Sequence, residues 1–159
     1  MLKMIVAMDC NRGIGLRGKM PWHILEEMNL FKKITMNHSV VFGRTTFENM
    51  SSLLKNRKHY VVTRNRDFFR EGISIVHDFD AFLNQHQNSV EEIYICGGTQ
   101  IYQQAFPYVS ELHLSILKNA YECDTFLPYF DLSEFTCDVV EDYELFTYYH
   151  YKRENICKN

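Results

Sequence analysis

The chain has 159 residues, near the roughly 150 of one typical domain, and its 46% hydrophobic and 23% charged residues exclude a disordered chain. Seven glycines and three prolines are about half the usual share, too few for a sandwich that turns every ~10 residues. A net charge of −3 without a basic run excludes a nucleic-acid groove, which needs a clustered cationic face.

The N-terminus runs straight into an apolar stretch, with neither a signal-peptide pattern nor an apolar run of about 18 residues. Its five cysteines, at positions 10, 96, 123, 137 and 157, include no CxxC pair and no histidine at zinc-ligand spacing. A reduced, cytoplasmic, membrane-free chain with no structural metal is expected. Strand-like runs follow at 3–8, 39–42, 59–63, 73–76, 92–96, 111–117, 136–140 and 146–153. Helix-like segments fall at about 24–36, 44–50, 78–87 and 99–106. The early runs, such as Met4-Ile5-Val6-Ala7-Met8, are continuously apolar, as strands buried on both faces must be. The last two runs have no helix between them, which predicts an antiparallel pair. The alternation predicts a single α/β domain over 1–159 with a mostly parallel central sheet.

After the first strand, Gly13-Ile14-Gly15-Leu16-Arg17-Gly18 matches the G-x-G-x-x-G dinucleotide motif. That motif needs its third glycine inside a helix, yet Lys19-Met20-Pro21-Trp22 follows and Pro21 disfavours helix at Met20. The segment reads instead as a glycine-loosened loop that closes over a site, with Met20 and Trp22 too large and apolar for a plain connector.

In the first helix, a turn of about 100° per residue gathers Ile24, Met28, Phe31 and Ile34 on one face and Glu26, Asn29 and Lys33 opposite. Glu27 falls inside the apolar stripe. A carboxylate there must pair, accept hydrogen bonds or raise its pKa, which suits recognition of an N–H-rich ligand or steering of a proton. Periodicity leaves a second reading open, with the helix rotated by a third of a turn and Glu27 at the stripe's edge.

Two strand–glycine–helix junctions, Gly43-Arg44-Thr45-Thr46 and Gly97-Gly98-Thr99, can cradle a phosphate on bare backbone. A third strand ends in Thr63-Arg64. In a parallel sheet these ends share one edge, where α/β proteins bind nucleotides. Arg44 and Arg64 would supply cations, and Thr45, Thr46 and Thr63 hydroxyls.

Taken in order, Ile14-Gly15, Met20-Pro21-Trp22, Glu27, Gly43-Arg44-x-Thr46-Phe47-Glu48, Asn56-Arg57-Lys58, Val62-Thr63-Arg64, Ile95-Cys96-Gly97-Gly98-x-x-Ile101-Tyr102 and Asp124-Thr125-Phe126-x-Pro128 closely resemble bacterial dihydrofolate reductase. The resemblance runs from about residue 4 to residue 128. It implies an eight-stranded mixed, mostly parallel sheet flanked by four helices. It also implies NADPH-dependent reduction of 7,8-dihydrofolate to 5,6,7,8-tetrahydrofolate, by hydride transfer to C6 and protonation of N5, in one-carbon and thymidylate metabolism. The ligands implied are NADPH, dihydrofolate and antifolates, and the chain is expected to be a monomer.

Carried over, Glu27 pairs with the pterin 2-amino and N3 positions, Trp22 holds an ordered water and Met20 closes the nicotinamide site. Ser115, where the family usually has Thr, hydrogen-bonds the carboxylate and the pterin. Ile5, Val6, Met28, Phe31, Met50 and Leu54 form apolar walls, joined by Lys32 and Cys96, and Arg57 takes the α-carboxylate of the glutamate tail. Arg44, Thr45, Thr63 and Arg64 select the 2′-phosphate of NADP. Ala7, Ile14, Gly15, Gly43, Thr46 and Cys96 also contact the cofactor, as do Gly97, Gly98, Thr99, Gln100, Ile101 and Tyr102. The Gly97–Gly98 bond is implied to be cis, and Asp124 to latch the 15–20 segment.

Four features depart from the pattern. Leu25 stands where Pro is common, Ser51-Ser52 replaces a Gly-containing turn, Cys96 replaces Ile, and Glu27 stands where many bacterial members have Asp. They are expected to reshape the pterin pocket and weaken some antifolates. Two other functions compete. A riboflavin-pathway pyrimidine reductase of the same fold has no need of Trp22 and Glu27, and a non-catalytic folate- or nucleotide-binding module predicts a damaged acid or loop.

Overall fold

A computed structural model describes residues 1–154; Cys157 lies outside them. The chain forms β1 (Leu2–Met8), β2 (Gly13–Gly15), α1 (Leu25–Thr35), β3 (Ser39–Gly43), α2 (Arg44–Glu48), β4 (Lys58–Val62), β5 (Ile73–Val76), α3 (Phe79–His86), β6 (Ile93–Ile95), α4 (Thr99–Ala105), β7 (Glu111–Leu117), β8 (Thr125–Phe126), β9 (Phe135–Asp142) and β10 (Phe146–Arg153). The eight-stranded sheet has the order β5-β4-β3-β6-β1-β7-β10-β9. Its first six strands are parallel, and β10 runs antiparallel to both β7 and β9. The mostly parallel sheet, four α-helices and closing antiparallel pair are as the sequence predicts.

Both faces of the sheet are covered, which explains the unbroken apolar runs. Along β1 the pleat sends Met4, Val6 and Met8 into one core, shared with Phe79, Phe82 and Leu83 of α3 and with Ile101 and Ala105 of α4. Ile5 points the other way, into a core with Val40, Phe42 and Tyr94 that Phe31 and Ile34 of α1 cover. No side chain caps α1 at its start, but Glu26 and Glu27 in its first turn and Lys32 and Lys33 in its last complement the helix dipole. Asp78 caps α3 by accepting the Ala81 N–H at 3.0 Å.

Short strands β2 and β8 pair with each other outside the main sheet, and nothing in the sequence reading anticipates them. Three and two residues long, they are too brief to carry an alternation pattern. Their pairing settles the glycine motif. Gly13 and Gly15 are strand residues, and the next helix begins only at Leu25, so this is no nucleotide-binding turn.

Candidate active site

The parallel topology brings the C-terminal ends of β1, β3, β4, β6 and β7 to one edge. Between that edge and α1 lies a cleft of about 1390 Å³. Of the site residues expected from the sequence, every one except Trp22 lines it.

Glu27 is the buried carboxylate of this wall. It is 7% exposed, whereas its neighbour Glu26 is exposed, so the inward placement holds and the rotated one does not. Burial pushes its carboxyl up to about 7. The direct Ser115–Glu27 hydrogen bond expected from the sequence is not formed. Ser115 is buried and lines the cleft, but it comes from β7 and Glu27 from α1, and among the described residues the carboxylate accepts no hydrogen bond.

Met20 and Met28 are 53% and 42% exposed because they face the cleft rather than a core. Trp22 lies behind the cleft wall rather than on its surface. It follows Pro21 inward, packs with Ile24, Leu117 and Phe146 and meets Tyr121 at 5.4 Å between ring centroids. Its indole N–H is buried without a partner among the described residues.

The phosphate-facing end is built from main chain. The Gly43 N–H donates to the Gly97 carbonyl at 2.8 Å and the Cys96 N–H to Val41 at 2.9 Å, tying the ends of β3 and β6 together. The Gly97–Gly98 bond is cis, and Gly97 has φ +116°, a conformation that favours glycine. A Cβ on Gly43 would come 3.1 Å from Ile101, and one on Gly98 3.2 Å from the Thr46 hydroxyl. This is a cradle of bare backbone, and beside it the Thr99 hydroxyl is buried without a partner among the described residues. Thr63 accepts the Asn65 N–H at 3.0 Å, leaving its O–H free to donate. Arg64 is exposed, while Arg44 is held loosely by Glu48 at 3.4 Å. Cations, hydroxyls and glycine backbone at one sheet edge fit a phosphorylated dinucleotide.

The loop between β1 and α1 is fastened at two points. Asp124 accepts the Arg17 N–H at 2.9 Å and donates its own N–H to the Gly15 carbonyl at 2.9 Å. At the loop's base, buried Asp9 accepts the main-chain N–H groups of Asn11, Gly13 and Tyr121 at 2.7–2.9 Å. Burial pushes the Asp9 carboxyl up, but these hydrogen bonds outweigh it and hold the carboxyl below its ordinary value. Arg12 donates to the carbonyls of Leu127 and Pro128. The sequence reading missed Asp9 and Arg12, although a lone Asp closing an apolar strand signals a buried acceptor.

It also missed His113 and Tyr148, which line the cleft. The Tyr148 hydroxyl lies 2.6 Å from His113 Nδ1, and burial pushes His113 down to about 4. Glu111, His113 and His150 come within 4.8 Å of one another. Lys3 already pairs with Glu111 at 2.8 Å, and the two imidazoles stack at 4.3 Å, so their in-plane lone pairs do not converge. Glu111 is bonded to His150 Nε2 at 2.6 Å, while His113 Nε2 is buried without a partner among the described residues.

Comparison with known proteins places these features. The dihydrofolate reductase family profile matches residues 1–153. Dihydrofolate reductase of Bacillus subtilis (strain 168) is 38% identical over 133 residues, covering 84% of this chain and 79% of that one. That of Ureaplasma parvum serovar 3 is 32% identical over 158 residues, 97% of this chain and 99% of its own. Among solved structures, dihydrofolate reductase from Enterococcus faecalis complexed with NADP(H) and RAB-propyl superposes with a TM-score of 0.89 at 30% identity, covering 98% of this chain and 97% of that one.

Proposed function

This chain belongs to the dihydrofolate reductase family, and we propose that the residues lining its cleft carry that family's reaction, the reduction of 7,8-dihydrofolate to tetrahydrofolate. NADPH supplies the hydride, which goes to C6. The single observation that carries this reading is Glu27, buried in the cleft wall with its carboxyl raised to about 7. A carboxylate that accepts from the pterin N3–H and 2-amino group recovers the hydrogen bonds it lacks in the free protein, which favours its charged form. That negative charge pushes electron density through the pterin toward N5, stabilises the cation that forms there and so promotes its protonation by water. The Trp22 indole N–H, buried without a protein partner, is the donor available to hold that water from behind the wall.

Apolar surfaces of Ile5, Met28, Phe31, Met50 and Leu54 hold the pterin and the ring that follows it, and Arg57 faces the tail carboxylate. Arg44 and Arg64, with Thr63, hold the 2′-phosphate and so select NADPH over NADH. Met20 covers the nicotinamide when the loop closes. The cleft is lined by the ends of one sheet and the helices packed on it, which supports one domain. No helix among the described residues is long and apolar enough to cross a membrane. Cys10, Cys96, Cys123 and Cys137 are free thiols, which supports a reducing cytoplasm.

Loss of reduced-nicotinamide absorbance with dihydrofolate tests the reading directly. The wild type is expected to turn over, and Glu27→Gln to lose on the order of 10²–10⁴-fold, the usual worth of a positioned proton-transfer group. No turnover by the wild type would favour a binding module, and an unimpaired variant would remove Glu27 from the mechanism. Glu27 and Cys96 reshape the pterin pocket and lower its affinity for antifolates more than for substrate. Inhibition constants equal to those of an ordinary bacterial enzyme would overturn that.

A further inference from the structure

His59 touches no part of the cleft surface, yet it holds the segment that forms one end of it. It is the second residue of β4 and is 2% exposed, with its ring stacked on Phe42 at 6.2 Å and 19° between planes. Nε2 accepts the main-chain N–H of Leu54 at 3.0 Å. A neutral imidazole that accepts at Nε2 carries its proton on Nδ1. Burial lowers the proton affinity of this ring, and a hydrogen bond to the Arg57 main chain only partly opposes that, so the ring stays neutral. One side chain of β4 thus holds the start of the turn Leu54–Arg57, whose other end runs directly into β4.

Away from His59, the turn's main chain is held where the Asn56 carbonyl accepts the Asn37 N–H at 3.1 Å. The turn follows the exposed residues Ser51, Ser52 and Leu53, and Asn56 lies at φ +60°. It nevertheless presents two cleft groups, the Leu54 side chain and the Arg57 guanidinium. Arg57 donates from Nε to the Lys55 carbonyl at 2.9 Å and from Nη1 to the Thr35 hydroxyl at 3.1 Å. Nη2 has no partner among the described residues, so one edge of the fork remains for a carboxylate. The Lys55 carbonyl that orients the guanidinium belongs to the same turn, so any shift of Leu54 relative to β4 turns the fork away.

On the reading of this cleft as the folate site, we propose that His59 is a positioning residue. By holding the Leu54–Arg57 turn from beneath, it aims Arg57 at the carboxylate of the substrate's tail and sets how strongly the enzyme prefers dihydrofolate to a dihydropterin lacking that tail.

The test is steady-state kinetics at saturating NADPH, with dihydrofolate and with a tail-less dihydropterin. His59→Leu is expected to raise KM for dihydrofolate about tenfold, equivalent to about 1.4 kcal/mol, leaving kcat and the KM for the tail-less substrate within roughly twofold. His59→Gln, whose Oε1 can accept the Leu54 N–H, should recover most of the loss. His59→Asn, polar but too short to reach it, should show the same split as Leu, so the outcome does not depend on Leu folding well. Adding His59→Leu to Arg57→Ala should raise KM no further than Arg57→Ala alone, because both act on one contact. An equal rise in KM for both substrates, or none for dihydrofolate, would overturn the proposal. Wild-type protein that turns over neither substrate would instead remove the reading of the cleft on which it rests.

Discussion

Glu27 is buried in the cleft wall at a cost in stability. Its carboxyl moves from an ordinary value of 4.5 to about 7 on folding because burial disfavours the charge. A group whose pKa rises on folding contributes its stability in full below the unfolded value, and that stability is lost as pH climbs through the folded value. The window here therefore runs from about 4.5 to about 7, and the loss amounts to about 3 kcal/mol. Glu27→Gln, which cannot ionise, should unfold at higher denaturant than the wild type at pH 8 and show no such advantage at pH 4. Chemical denaturation at the two pH values checks this, and equal midpoints at pH 8 would show that the cleft solvates the carboxylate. The same residue was legible as an anomaly in the helix periodicity. What the sequence left open was the helix's rotation, because one helical turn of either phase fits the pattern.

At the scale of elements, the decisive pieces are the loop from β1 to α1 and the junctions after β3 and β6. The loop has no regular helix or long strand to hold it. It depends on β2 pairing with β8, on Asp9 at its base and on Asp124 at its tip. Asp124→Asn keeps the shape but replaces a charged acceptor by a neutral one, which weakens the bond to the Arg17 N–H. Hydride transfer in single-turnover measurements should slow by about tenfold as the loop spends less of its time closed. NADPH affinity should change less, and an unchanged transfer rate would dismiss the latch. Asp124 was expected from the family resemblance, whereas Asp9 was not singled out. Its partners, Gly13 and Tyr121, are far apart in sequence, and only the folded loop brings their N–H groups to one carboxylate.

Across the whole molecule, three clusters of buried apolar residues sit on the two faces of one sheet, and both ligand regions open at its edge. This predicts a single cooperative unit. The sole tryptophan, Trp22, is buried in the cluster under the loop, so its fluorescence reports on a different region from far-ultraviolet circular dichroism of the sheet. The two denaturation curves should coincide, and NADPH at about 100 times its Kd should add about 2.7 kcal/mol to the unfolding free energy. Separated transitions would show that the loop side unfolds on its own.

Local chemistry made the strands, helices and strand–glycine–helix junctions readable from the sequence alone. Alternation, apolar periodicity and the few glycines are properties of neighbouring residues. The tertiary structure alone decided that Glu27 points inward without a Ser115 hydrogen bond and that Trp22 sits behind the cleft wall, and it alone brought buried Asp9 to the loop, His59 to the Leu54–Arg57 turn and His113 to the cleft. Each of these depends on contacts between elements far apart in the chain. Burial and hydrogen-bond partners are set by what packs against a residue, and one residue's neighbours in sequence do not specify that.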